Sequence, residues 1–289
     1  MFVLSGSQNF LLYEKITQSL AGRTAVLHLL PFSVRELTEA GQLPQNPFQA
    51  IQKGFYPRMY DRDIPPSDFY PFYVQTYLER DVRTLSGVGN MDAFNRFISL
   101  VAARVGQLLN KSDLAAEAGI SLPTVNRWLS ILEAGFIIYF LRPYYKNFSK
   151  RIVKQSKLYF TDTGLLAWYL GIETGAIPET HHVKGALFEN YVVQEYLKTA
   201  WNQGQRANLW FWRDSNGREV DLLQERDGRL HAIEIKSGQT FHPRFFKSLE
   251  YWQKISGNPA QQCSVVYAGT QSIDSPKGRL IPWDGIESS

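Results

Sequence analysis

Glu189, Asp221 and the pair Glu234 and Lys236 are the residues whose types and spacing could do chemistry. The second and third acids sit in Arg218-Glu219-Val220-Asp221-Leu222-Leu223 and in His231-Ala232-Ile233-Glu234-Ile235-Lys236. Carboxylates gathered at one patch suit a hard divalent cation, Mg²⁺ or Mn²⁺. A lysine beside them could position a water or stabilise charge on a phosphate. The bland reading is a surface hairpin with solvated charges.

The elements that must position these groups follow from hydropathy alternation. Apolar and polar residues alternate on both sides of Asp227-Gly228, which predicts a β-hairpin. Alternate side chains of a strand share a face, so Glu219 goes with Asp221 and Glu234 with Lys236. Glu189 lies in Gly185-Ala-Leu-Phe-Glu189-Asn-Tyr-Val-Val-Gln-Glu-Tyr-Leu, whose apolar residues recur at helical spacing. The aromatic strand Leu209-Trp-Phe-Trp-Arg213 puts Trp210 and Trp212 on one face for core packing. A helix over Phe245 to Ile255 and a strand at Val265-Val-Tyr267 complete an α/β order.

The order Glu189, Asp221, Glu234-x-Lys236 resembles the PD-(D/E)XK signature of restriction-endonuclease-like domains. That resemblance implies Asp221 and Glu234 as metal ligands, Lys236 as the catalytic lysine acting on the attacking water, and Glu189 as the helix-borne acid. The cofactor it implies is Mg²⁺ or Mn²⁺. The same superfamily hosts inactive members, so a non-catalytic scaffold stands as the alternative.

Upstream, Asp92 to Val105 predicts an amphipathic helix. Ser112 is the expected N-cap of Asp113-Leu-Ala-Ala-Glu-Ala118, Gly119 gives a turn, and Ser121 to Ala134 gives a second helix with Pro123 in its first turn. This is a helix-turn-helix of ordinary spacing. Strands at Phe136 to Leu141 and Lys157 to Phe160 flank a basic tip holding Lys146, Lys150, Arg151, Lys154 and Lys157, which looks like a wing. Thr124, Asn126 and Arg127 are the candidates to face a DNA groove, with Lys150, Arg151 and Lys154 on phosphates. Docking of a protein partner or a second copy of the chain is the other reading of this segment. Asp162 is the expected cap of the helix after Thr163.

At the beginning of the chain, Met1-Phe-Val-Leu4 runs into Ser5-Gly-Ser-Gln-Asn9, and Ala25 to Leu30 reads as a strand. These blocks, with Ala21-Gly-Arg-Thr24, Leu30-Pro-Phe-Ser-Val-Arg-Glu-Leu37 and Tyr77-Leu-Glu-Arg-Asp-Val82, resemble the second half of an AAA-type ATPase core. In that bacterial-type family the core is followed by a winged helix and an endonuclease-like domain of unknown function. By resemblance, Ser7 lies in a sensor-like loop and Arg23 where it could face a nucleotide, in trans. No G-x-x-x-x-G-K-[ST] loop occurs in the sequence, so ATP is not expected to bind this chain alone. The expectation is a chain lacking the ATP-binding half. A complete small domain that starts with a strand is the alternative.

The expected architecture is therefore mixed α/β and multidomain. It comprises a partial AAA-type ATPase core and lid over 1–88, a winged helix-turn-helix over 89–175, and an endonuclease-like α/β domain over 176–289. Composition is compatible with this: 289 residues, 44% hydrophobic and 20% charged, net charge +4. The charge permits nucleic-acid binding without demanding it. Cys263 is the only cysteine, which excludes disulfide frameworks and cysteine-cluster zinc sites within one chain. No apolar run reaches the roughly 20 residues that span a bilayer, and a cytoplasmic location is expected.

Overall fold

Caps and prolines set the first elements. The structure, a computed structural model, describes residues 27–78, 91–145, 154–172 and 182–286. Short helices α1 (Val34–Glu39), α2 (Pro47–Lys53), α3 (Pro57–Asp61) and α4 (Pro66–Tyr73) come first. Three of them start on proline, whose fixed φ suits the first turn and whose missing N–H is not needed there. Ser33 and Glu36 form a reciprocal capping box on α1. The strand expected over 25–30 is not present in its described part. Residues 27–30 are irregular, with Leu27 and Leu29 exposed.

Three helices follow, α5 (Met91–Ala102), α6 (Lys111–Ala118) and α7 (Leu122–Ala134), the last two joined by a short turn. Asn110, not Ser112, caps α6: its side-chain oxygen accepts from the Ser112 and Asp113 N–H groups. The helix thus starts two residues earlier, and Ser112 lies inside it. Gly119 takes the left-handed conformation of the turn (φ 67°), and Ser121, read as the first helical residue, is the N-cap of α7. Trp128 of α7 meets Phe94 and Phe97 of α5 edge-on, at 5.3 and 5.1 Å.

Strands β1 (Ile138–Pro143) and β2 (Lys157–Phe160) pair antiparallel. Most of the connection, residues 146–153, lies outside the described residues. The inner strand does not end there, however. β1 also pairs parallel with β3 (Leu209–Arg213) and joins the main sheet. Helix α8 (Thr163–Tyr169) follows with Asp162 as its cap, and the long helix α9 is Lys184–Asn202. Then come β4 (Glu219–Arg226), β5 (Arg229–Lys236), α10 (Lys247–Ser256), β6 (Cys263–Tyr267), β7 (Ile273–Ser275) and β8 (Gly278–Pro282).

Among the described residues the strands form one eight-stranded mixed sheet in the order β2-β1-β3-β4-β5-β6-β8-β7. β5, β6 and β8 run parallel, with α10 in the β5–β6 crossover. Both faces of the sheet are covered. Leu187, Tyr191, Phe211, Leu222, Ile233 and Val266 belong to one apolar cluster that reaches back to α1 and α5. Trp212, Val220, Leu223, Ala232 and Val265 join Leu249 and Trp252 of α10 in the other. Burial on both faces explains why β6 reads as a nearly continuous apolar run. Cys263 is one of these buried residues, consistent with a small core side chain.

Candidate functional site

The hairpin of β4 and β5 turns at Asp227 and Gly228, both with positive φ (51° and 69°), the requirement of a two-residue turn matched to strand twist. Its ladder runs from Arg226↔Arg229 to Leu222↔Ile233 and stops there. On the other side of β4, Trp210 pairs with Leu223 but Trp212 pairs with Val220. Phe211 therefore faces two residues, Asp221 and Leu222. That is a β-bulge, which re-aims a side chain and ends regular pairing. The carboxylate freed by it is Asp221, whose Oδ2 accepts the Ile235 N–H at 2.8 Å in place of a ladder bond.

Glu189 arrives from α9. The neighbouring Asn190 is fully buried and clamps that helix to β2: its amide accepts from Phe160 N–H at 2.7 Å and donates to Phe160 C=O at 2.9 Å. Glu189 Oε1 then accepts from the Lys157 ammonium (2.8 Å) and the Tyr159 hydroxyl (2.6 Å), both on β2. Glu219, at the start of β4, pairs with Arg213 at 3.0 Å and with Lys157. One carboxylate oxygen each from Glu189, Glu219 and Asp221 lies within 4.8 Å of the others. Three oxygen donors so grouped fit a hard divalent cation.

Glu234 and Lys236 complete the patch from β5. Glu234 is 4% exposed, and its Oε1 accepts from Lys236 Nζ at 2.6 Å and Ser248 Oγ at 3.1 Å. Its Oε2 is buried without a hydrogen-bond partner among the described residues. A buried carboxylate oxygen without a donor is costly and needs an explanation. Burial, with Glu234 and Glu189 adding to it, pushes Asp221 well above the ordinary carboxylate range. Burial also raises Glu234, against the opposing pull of Lys236. Burial alone would lower Lys236, but Glu234 and Asp221 outweigh it and the ammonium is favoured. The same balance holds for Lys157, raised by Glu189 and Glu219 against its burial.

The fold thus brings Glu189, Asp221, Glu234 and Lys236 to one end of the β4–β5 pair. Two details differ from the sequence expectation. The three-carboxylate group contains Glu219, not Glu234, which bonds instead to Lys236 and Ser248. Lys157, read as part of a basic tip, is 3% exposed and ion-paired inside the acidic patch. Glu219 was legible as a strand neighbour of Asp221. Lys157 and Tyr159 carried no local signal, since their partners lie about 30 residues away or more in the chain. Of the groove candidates, Asn126 and Arg127 are exposed on α7, with Asn126 accepting from Lys111 at 2.9 Å. Thr124 is half-buried, its hydroxyl 2.8 Å from Ser121 Oγ at the cap. Lys154 is exposed. Lys150, Arg151, Ser7 and Arg23 lie outside the described residues.

Residues 1–38 match an AAA domain. Residues 45–176 match a domain of unknown function (DUF8612), and residues 184–285 match another (DUF4143). The first match supports a relationship to AAA-type ATPases. Uncharacterized proteins of Mycobacterium tuberculosis and Mycobacterium bovis are each 28% identical over 242 residues, 83% of this chain and 53% of theirs. The chain therefore spans about half the length of the curated relatives it matches. No solved structure matches it. No helix among the described residues is long and apolar enough to cross a membrane.

Proposed function

We propose that this chain, related to AAA-type ATPases, carries a divalent-metal-dependent site that cleaves phosphodiesters of DNA. The observation that carries the reading is the meeting of three carboxylate oxygens within 4.8 Å beside a buried, donorless oxygen of Glu234. Glu189, Glu219 and Asp221 would hold Mg²⁺ or Mn²⁺, and the Glu234 oxygen is the fourth candidate donor. When bound, such a cation supplies charge against a phosphoryl oxygen and favours an attacking water. Lys236, held by Glu234, presents an ammonium that can donate to that water or to the phosphate. DNA is the chosen substrate because α7 presents Asn126 and Arg127 to solvent and Lys154 stands exposed before β2. Ser7 and Arg23 are proposed to act in trans on a nucleotide held elsewhere, and tight ATP binding by this chain alone is not expected.

A metal titration followed by a cleavage assay tests the proposal. Asp221→Asn should lose Mn²⁺ affinity and cleavage together. Lys236→Ala should keep metal affinity and lose rate by roughly a hundredfold. No cleavage of single-stranded, duplex or branched DNA by the parent with Mn²⁺, or equal cleavage by Lys236→Ala, ends the nuclease reading. The second reading is a non-catalytic DNA- or protein-binding scaffold. It is favoured by Lys157, which already neutralises part of the patch from a buried position.

A further inference from the structure

The carboxyl ends of β5, β6 and β8 open into a cavity of about 380 Å³. Open α/β sheets take ligands at that edge, and the volume is within the range of small-ligand pockets. Gln239 and Thr240 enter it just after β5, Gln271 just after β6, and Gln45 and Asn46 close it from the cap of α2. Buried Trp283, after β8, forms part of the floor.

The cavity adjoins the acidic patch through shared backbone. Lys236 pairs with Tyr267, and Lys236 C=O accepts the Ala268 N–H at 3.1 Å. One strand end thus carries the proposed catalytic lysine and begins the cavity wall. The wall is tightly built. A Cβ at Gly269 would stand 2.2 Å from the Tyr267 ring and 2.4 Å from Gln239 C=O, so only glycine lets these backbones approach.

The lining chemistry is selective. It consists of amides, hydroxyls and aromatic rings, with no charged side chain. Gln45, Gln239, Thr240 and Gln271 line it at exposed positions, so their donors and acceptors are open to the cavity or to solvent. A phosphate would leave such groups without a cation to complement it. Arg244, the nearby cation, does not line the cavity. An uncharged ligand with donors and acceptors on one edge and a π-face fits better. Phe241 stands at the rim, 37% exposed, braced by Phe245 and Phe246 at 6.1 and 6.3 Å. A half-exposed, braced ring is a stacking surface.

We propose that this cavity receives an unpaired nucleobase of the strand whose phosphate lies at the acidic patch, with the Gln239, Thr240 and Gln271 side chains on the base edge and Phe241 on its face. This deepens the phosphodiesterase proposal and rests on it for the strand, but the base site can be tested alone. Saturation-transfer NMR with the four deoxynucleosides, on the full chain without metal, should show ligand signals for the parent. Phe241→Ala and Gln239→Ala, both at exposed positions, should lose most of that signal. Asp221→Asn should keep it, which separates this proposal from the cleavage reading. In fluorescence anisotropy, Phe241→Ala should weaken a single-stranded oligonucleotide about tenfold and leave a blunt duplex unchanged. Absence of nucleoside signal in the parent, or signal indifferent to both variants, overturns the base site. Equal loss of duplex and single-strand binding overturns its preference for an unpaired base.

Discussion

Helix α9 carries two charged centres, and they are built on opposite principles. Near its C-terminal half, Glu195 and Lys198 are fully buried and pair at 2.8 Å. Every arm of that pair is engaged: Glu195 Oε2 accepts the Val34 N–H at 2.8 Å, and Lys198 donates to Phe32 C=O at 2.7 Å and lies 4.1 Å over the Phe55 ring. One turn and more upstream, Glu189 opens a patch where Glu219, Asp221 and Glu234 outnumber Lys157 and Lys236, with Arg213 at its margin. There one carboxylate oxygen is buried with no donor. The first centre is balanced and complete, and it ties the N-terminal segment to α9. The second has surplus negative charge that the described residues leave uncompensated. Burial alone does not mark a functional group; unmet valence does.

The comparison breaks most sharply if the closed pair proves dispensable. Lys198→Ala leaves Glu195 buried without its cation, and should cost about 3–5 kcal/mol of stability in urea unfolding. Divalent cation should not restore it, because Val34 N–H already occupies the other carboxylate oxygen. A loss below about 1 kcal/mol, or rescue by Mn²⁺, would show that the two centres are not different in kind.

A smaller loss is expected in the open patch, and there it should be reversible. Lys157→Met removes the cation shared by Glu189 and Glu219, which are themselves partly solvated. About 2 kcal/mol should be lost in metal-free buffer, the cost of leaving such groups unmatched. Millimolar Mn²⁺ should return most of it by binding the native state, and metal affinity should rise relative to the parent. If Mn²⁺ changes neither protein's unfolding midpoint, the patch is an ion-pair network and the scaffold reading holds.

How much of this was readable from the chain depends on the range of each interaction. The hairpin was legible because alternation and Asp227-Gly228 are local signals, α7 because Pro123 suits a first turn, and α8 because Asp162 announces its start. The α6 cap was misplaced by two residues because Asn110 and Ser112 are both capable caps. Convergence of Glu189, Asp221, Glu234 and Lys236 was anticipated through resemblance, not through spacing. Nothing local could reveal the bulge at Asp221, which exists only in the register of β4 against β3. Lys157 was misread for the same reason: a lysine in a basic stretch looks solvated until a distant helix brings Glu189 to it. The cavity was equally invisible, since its walls come from residues near 45, 240, 270 and 283.

A titration sharpens the contrast further. Asp221 is raised in the fold by burial and by Glu234 and Glu189, so the native state takes up a proton before the unfolded chain does. In the metal-free protein, stability should rise as pH falls from that raised value toward about 3.9, where the unfolded aspartate also protonates. The gain is lost as pH rises through the folded value. Asp221→Asn should remove this increment, so its unfolding midpoint should vary less with pH than the parent's. The opposite slope would mean that Asp221 is stabilised as an anion and that the patch has no charge surplus.

The smallest effect on stability is expected on α7, and it separates a third kind of charge from the other two. Arg127 is exposed and has no described salt bridge, so Arg127→Ala should change unfolding free energy by less than about 0.5 kcal/mol. Exposed side chains of this kind are free to serve a partner. If α7 enters a DNA groove, the same variant should cost about 1–3 kcal/mol in duplex affinity and relax preference between sequences. Lys154→Ala should instead weaken all sequences alike and reduce the salt slope by about one. Anisotropy on two unrelated duplexes at two salt concentrations reads both effects together. Affinity unchanged by either variant would assign α6 and α7 to protein docking and leave DNA to the acidic patch and its neighbouring cavity.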